Sequence, residues 1–95
     1  MGLVRALAVE TAKSGVTVNA VCPGYTDTEM MRASLDTVTA KTGRTRDEAV
    51  AAMLKGNPLG RLIDPKEVAA AVVYLCSPEA SAVTGTTLVV AGGEV

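Results

Sequence analysis

The heptapeptide VTVNAVC at positions 16–22 constrains the chain more than any other feature. It is short, rich in β-branched residues, apolar on both alternating faces apart from Thr17 and Asn19, and it stops at Pro23-Gly24. A half-exposed strand would alternate apolar and polar side chains, and a helix would repeat them every three to four positions. A short run that is apolar on both faces is the pattern of a parallel strand covered on both sides. A second run, Thr87 to Ala91 (TLVVA), follows a turn at Gly85 and ends at Gly92-Gly93.

Helical patterns fill the rest. From Gly2 to Lys13, Leu3, Ala6 and Leu7 recur at helical spacing before a stop at Ser14-Gly15. Thr28 to Thr39 reads as a helix with Met31, Leu35 and Val38 on one face, and Lys41 to Arg46 as a surface loop. Thr45 with Glu48 three residues on predicts a capping box opening a helix through about Lys55, whose apolar face is Val50, Met53 and Leu54. Asn57-Pro58 breaks it. Asp64-Pro65-Lys66-Glu67 is a strong helix start, with a helix-capping Asp, Pro at the first position and Glu at the third. Val68, Val72, Leu75 and Cys76 then share a face until Ser77-Pro78.

Two strands separated by helices imply a right-handed parallel crossover in an α/β sheet. A two-stranded parallel sheet has little pairing of its own. Each exposed Val or Leu forfeits roughly 1.5–3 kcal/mol of burial. The pattern therefore predicts that these strands belong to a larger sheet.

Composition removes several function classes. At 95 residues the chain is too short for a complete two-half dinucleotide-binding fold. Its 48% apolar content is that of a globular protein, and without Phe or Trp the core must be aliphatic. A net charge of -1 from scattered residues leaves no electrostatic footprint for nucleic acid or an anionic membrane. Cys22 and Cys76 have no metal-ligand spacing and the chain contains no histidine, so the thiols read as reduced, in a cytoplasmic protein. Arg5 and Glu10 interrupt the first apolar run, so that run is not expected to act as a signal peptide, and no run approaches the roughly 20 residues of a membrane span.

The segment carrying chemistry is Pro23-Gly24-Tyr25-Thr26-Asp27-Thr28, which follows the carboxyl end of a predicted parallel strand and opens a helix. Open α/β sheets bind ligands there. Pro sets the exit angle, Gly permits close backbone approach, and the hydroxyls and helix-start amides can receive an amide or a phosphate. The same six residues also read as an ordinary strand-to-helix turn with a capping Thr.

Three separated segments, VTVNAVCPGYTDT, PLGRLIDPKEVAAAVVYL and VTGTTLVVAGG, resemble in order and spacing the short-chain dehydrogenase/reductase family. The resemblance covers essentially the whole chain. It implies the C-terminal part of a single Rossmann-like doubly wound parallel sheet, namely its last two strands plus helices, with a substrate flap at about 28–57. It further implies an NAD- or NADP-dependent oxidoreductase that interconverts a carbonyl and a secondary alcohol, of 3-oxoacyl, 3-hydroxyacyl or 3-hydroxybutyrate type, working as a homo-oligomer on a small molecule. Carried over by residue, the resemblance puts Pro23 and Gly24 along the nicotinamide ring, backbone near Thr26 at its carboxamide, and the Thr28 hydroxyl at the carboxamide or pyrophosphate. Tyr25 falls at a variable position facing substrate. Met30 and Met31 are candidates for an acyl or hydrophobic pocket and equally read as packing of an ordinary helix. Asn19 and Arg61 match positions of structural character.

Family members use a Tyr-x-x-x-Lys pair for proton transfer. Here Tyr25 is followed at that spacing by Glu29 and Tyr74 by Pro78, so no catalytic residue is assigned in this chain. The family's glycine-rich pyrophosphate turn is also missing. The expectation is a chain that begins just past the pair and is inactive alone; the alternative is an interaction module or split-enzyme half that docks on a full-length relative. One departure from the family pattern is Ala91, where many relatives carry Asp before Gly-Gly.

Overall fold

The computed structural model describes residues 2–94. It is α/β with two parallel strands, as the sequence predicts. In chain order the elements are α1 (Gly2–Thr11), a 3-10 turn (Ala12–Ser14), β1 (Ala20–Pro23), α2 (Glu29–Thr42), α3 (Arg46–Met53), α4 (Pro65–Leu75), a second 3-10 turn (Pro78–Ala80) and β2 (Thr87–Val90). These form two compact units. One runs to Cys22 and resumes over Lys66–Val90; the other comprises Pro23–Pro65 and the segment from Ala91.

In the first unit β1 pairs with β2. The strand predicted over Val16–Cys22 begins only at Ala20. Its first half is claimed by a turn: the Val18 N–H donates to the Thr84 hydroxyl (3.1 Å), and the Gly85 N–H donates to the Val18 carbonyl (2.8 Å). Asn19 bridges the same turn, donating from Nδ2 to the Val83 carbonyl (2.9 Å) and accepting at Oδ1 from the Thr86 N–H (3.1 Å). Only then does the Ala20 N–H reach the Thr86 carbonyl (3.0 Å). α1 ends two residues short of the predicted Lys13, tightening into a 3-10 turn closed by Gly15 in the left-handed region at φ 80°.

Ala8 and Ala80 are the buried apolar side chains of this unit. Half of its described Val, Leu and Tyr side chains are exposed, among them Leu3 at 74%, Val89 at 59% and Val72 at 45%, and the rest are only half-buried. The strand and helix faces that the sequence assigns to a larger sheet thus remain uncovered within the unit. No helix of the described residues is long and apolar enough to cross a membrane.

In the second unit α2 packs on α3 and buries Leu35, Ala49 and Leu54. α2 extends past its predicted end at Thr39 to Thr42, because Gly43 adopts φ 70° and donates its N–H to the Thr39 carbonyl (3.0 Å). The predicted loop Lys41 to Arg46 therefore contracts to Gly43–Thr45. Its expected apolar face is also narrower, since Val38 is 43% exposed. The Thr45 capping box forms as predicted, with Glu48 N–H on the Thr45 hydroxyl (3.2 Å) and Thr45 N–H on Glu48 Oε1 (2.9 Å). Nothing in the sequence announces the parallel bridge between Thr26 and Ile63, formed by Ile63 N–H to the Tyr25 carbonyl and Asp27 N–H to the Ile63 carbonyl, both 2.8 Å. Ile63, 2% exposed, is the most deeply buried large side chain described.

Candidate functional site

The loop from Pro23 to Thr28 is held residue by residue. Pro23 closes β1 and is exposed. A Cβ on Gly24 would lie 2.9 Å from the Ala91 Cβ and 3.0 Å from its Cα, so the neighbouring backbone alone excludes any larger residue. Tyr25 is 41% exposed. Thr26 donates its hydroxyl to the Gly24 carbonyl (3.0 Å), and its own carbonyl accepts the Thr28 N–H (2.9 Å). Because the bridge to Ile63 uses the groups of Tyr25 and Asp27, the Thr26 N–H faces away from it and donates to no group among the described residues.

Thr28 caps α2 from an extended conformation (φ -117°, ψ 167°), its hydroxyl oxygen accepting the Met31 N–H at 3.2 Å. That bond uses an oxygen lone pair and leaves the hydroxyl hydrogen free to be donated. Asp27 binds Arg32 one turn into α2, Nε to Oδ1 at 3.0 Å. The Arg32 hydrogen bond holds the Asp27 carboxyl below the usual carboxylate range.

Pro23, Gly24, Tyr25, Ala91 and Glu94 line an open cleft of about 400 Å³. Three predicted site residues, Pro23, Gly24 and Tyr25, therefore come together. Thr26 and Thr28 sit on the adjoining loop but do not line the cleft. The two methionines separate, as consecutive helical residues must: Met30 is 81% exposed and Met31 half-buried. Ala91 and Glu94 are additions; Ala91 stood out in the sequence as a departure before Gly-Gly, whereas Glu94 gave no signal. A separate groove of about 340 Å³ is lined by Asp27, Arg32, Arg61, Leu62, Asp64 and Pro65, and Arg61 there donates to the Leu62 carbonyl (3.2 Å).

The family model described as enoyl-(acyl carrier protein) reductase matches residues 1–94. The chain belongs to the short-chain dehydrogenase/reductase family. Among family members, it is 45% identical to the 3-oxoacyl-[acyl-carrier-protein] reductase FabG of Vibrio harveyi, over 98% of this chain and 34% of that protein. The structure of a short-chain dehydrogenase family protein from Francisella tularensis superposes with a TM-score of 0.89 at 33% identity, covering 98% of this chain and 38% of the other. A variant actinorhodin polyketide ketoreductase, solved with NADPH, superposes with a TM-score of 0.81 at 40% identity, covering 97% and 35%. The chain spans about a third of the length of the short-chain dehydrogenase/reductase proteins it matches.

Proposed function

We propose that this chain forms the nicotinamide-side wall and the substrate flap of an NAD- or NADP-dependent oxidoreductase that interconverts a carbonyl and a secondary alcohol, of 3-oxoacyl-reductase character. The observation that carries this reading is the cleft between Pro23–Tyr25 and Ala91–Glu94, beside a loop offering one unpaired amide, Thr26 N–H, and one donatable hydroxyl, Thr28. A carboxamide presents a carbonyl acceptor that these donors fit, and the exposed Pro23 ring offers an apolar surface to a planar heterocycle. The bound cofactor supplies the hydride. Within this chain, Thr26 N–H and the Thr28 hydroxyl orient the carboxamide, Pro23 and Gly24 support the ring, Tyr25 meets substrate, and α2 and α3 exclude water from above the reacting atoms. Met30 and Met31 sit at the entrance of that flap, where Met30 offers an adaptable apolar contact to an acyl chain.

Proton transfer falls to a Tyr-x-x-x-Lys pair that neither tyrosine here provides. The isolated chain is accordingly expected to reduce no carbonyl and to show little or no affinity for the dinucleotide. The test is a hybrid enzyme in which this chain replaces the matching third of the Vibrio harveyi reductase. A folded hybrid should oxidise reduced nicotinamide cofactor with a 3-oxoacyl thioester, and Thr28→Val should raise its cofactor KM about three- to tenfold, the value of one hydrogen bond. A hybrid that folds and melts cooperatively yet shows no turnover would refute the reading.

A second reading, a non-catalytic module docking on a full-length relative, draws on apolar side chains that α1 leaves open, Leu3 at 74% and Val9 at 79% exposure. Co-sedimentation with an intact reductase that survives Leu3→Glu with Val9→Glu would remove its support.

A further inference from the structure

Asn57 is the one buried polar side chain among the described residues, 7% exposed, and the proposed function assigns it no role. It spends every hydrogen-bonding group of its amide but one donor. Oδ1 accepts from Leu59 N–H (2.9 Å) and Gly60 N–H (3.2 Å), which shapes the loop leaving α3. Nδ2 donates to the Ala91 carbonyl (3.2 Å), 34 residues away in sequence. That same carbonyl accepts the Glu94 N–H (3.2 Å), so Asn57 holds the turn that presents both Ala91 and Glu94 to the cleft.

The packing leaves this turn little freedom. A Cβ on Gly92 would lie 2.7 Å from Asn57 Oδ1 and 2.8 Å from the Leu59 Cβ, and one on Gly93 would lie 3.2 Å from the Pro58 Cγ. Leu59 N–H also reaches the Gly92 carbonyl (3.0 Å). On its other side Ala91 abuts Gly24. Three backbone segments are thus stacked: the 57–60 loop, the Ala91–Glu94 turn and the Pro23–Tyr25 loop, with the cleft between the last two. The Asn57 N–H in turn binds the Leu54 carbonyl (2.9 Å), which places the side chain at the root of the α2–α3 flap.

We infer that Asn57 is a positioning residue, which sets the width of the cleft through Ala91 and couples that width to the exit of the flap. The coupling is geometric; its consequence for nicotinamide rests on the function proposed above. The experiment uses the full chain, ¹⁵N-labelled, with nicotinamide mononucleotide at millimolar concentration as the probe. Asn57→Asp keeps both acceptor bonds and loses the donor to Ala91; Asn57→Ser, too short to reach Ala91 and free of buried charge, serves if the first variant unfolds.

Either variant is expected to move the Gly24, Tyr25 and Glu94 amide resonances, and to lower the initial slope of the probe titration at those amides at least fivefold. Leu59 and Gly60 stay protected from hydrogen exchange in Asn57→Asp. Unmoved Gly24 and Tyr25 resonances, with a slope within twofold of the parent, overturn the inference and reduce Asn57 to a local loop cap. If the variants move those resonances while the probe shifts nothing across 23–28 in the parent chain, the positioning role stands, and the nicotinamide reading is decided by turnover of the hybrid enzyme.

Discussion

Two carboxylates show how single residues hold the second unit together. Hydrogen bonding from Arg32 lowers the Asp27 pKa, and the backbone and side-chain hydrogen bonds of Thr45 lower that of Glu48. A group whose folded pKa is depressed stabilises the fold fully above its unfolded value and ceases to do so as the pH falls through the folded value. The chain should therefore lose melting temperature on acidification below the ordinary values of 4.5 for Glu48 and 3.8 for Asp27. Half-molar salt should shrink the Asp27 share, an exposed ion pair, and leave the Glu48 capping share largely intact. A melting curve that is flat from pH 6 to 3 would refute this. At Gly24 the constraint is steric: Gly24→Ala pushes a methyl against the Ala91 backbone and should cost about 1–3 kcal/mol in chemical denaturation, the usual range for overpacking.

Elements form where local signals and tertiary partners agree. The Thr45 capping box needs only four adjacent residues, and it forms as the sequence predicts; Thr45→Ala should cost about 1 kcal/mol of helix stability by circular dichroism. β1 is the contrary case. Val16–Val18 have strand composition, yet the Val16 carbonyl accepts from the Thr11 hydroxyl, both Val18 hydrogen bonds go to the Thr84–Gly85 turn, and the ladder starts where Asn19 locks that turn beside Thr86. Asn19→Ala should free the Val83 carbonyl and the Thr86 N–H together. The expected outcome is about 1–3 kcal/mol of destabilisation and faster amide exchange at Ala20 and Thr86 than at α2. Equal exchange in both places would show that the clasp does not set strand register.

For the chain as a whole, exposed apolar surface is the dominant energetic fact. Leu3, Val9, Val72, Val73 and Val89 are all open, on elements whose sequence calls for cover. Soluble proteins rarely leave large contiguous apolar patches uncovered. In isolation the chain should bind a fluorescent apolar dye and self-associate with rising concentration by sedimentation. Supplying the missing sheet and helices, as in the hybrid with the Vibrio harveyi reductase, should abolish both. Dye binding unchanged in the hybrid would mean that these faces are not covered by the rest of such a fold.

Local chemistry by itself determined the α/β class, the helix starts at Thr45 and Pro65, and the loop after β1, because capping, turn residues and apolar periodicity act over a few neighbouring positions. Family resemblance followed from three motifs in order. What only the tertiary structure decided lies in contacts between distant segments. The Thr26–Ile63 bridge turns the Thr26 N–H outward, Ala91 makes Gly24 obligatory, Glu94 enters the cleft wall, and Asn57 ties the loop after α3 to the turn at Ala91. No periodicity encodes such pairs, since each depends on where the chain returns after more than 30 intervening residues.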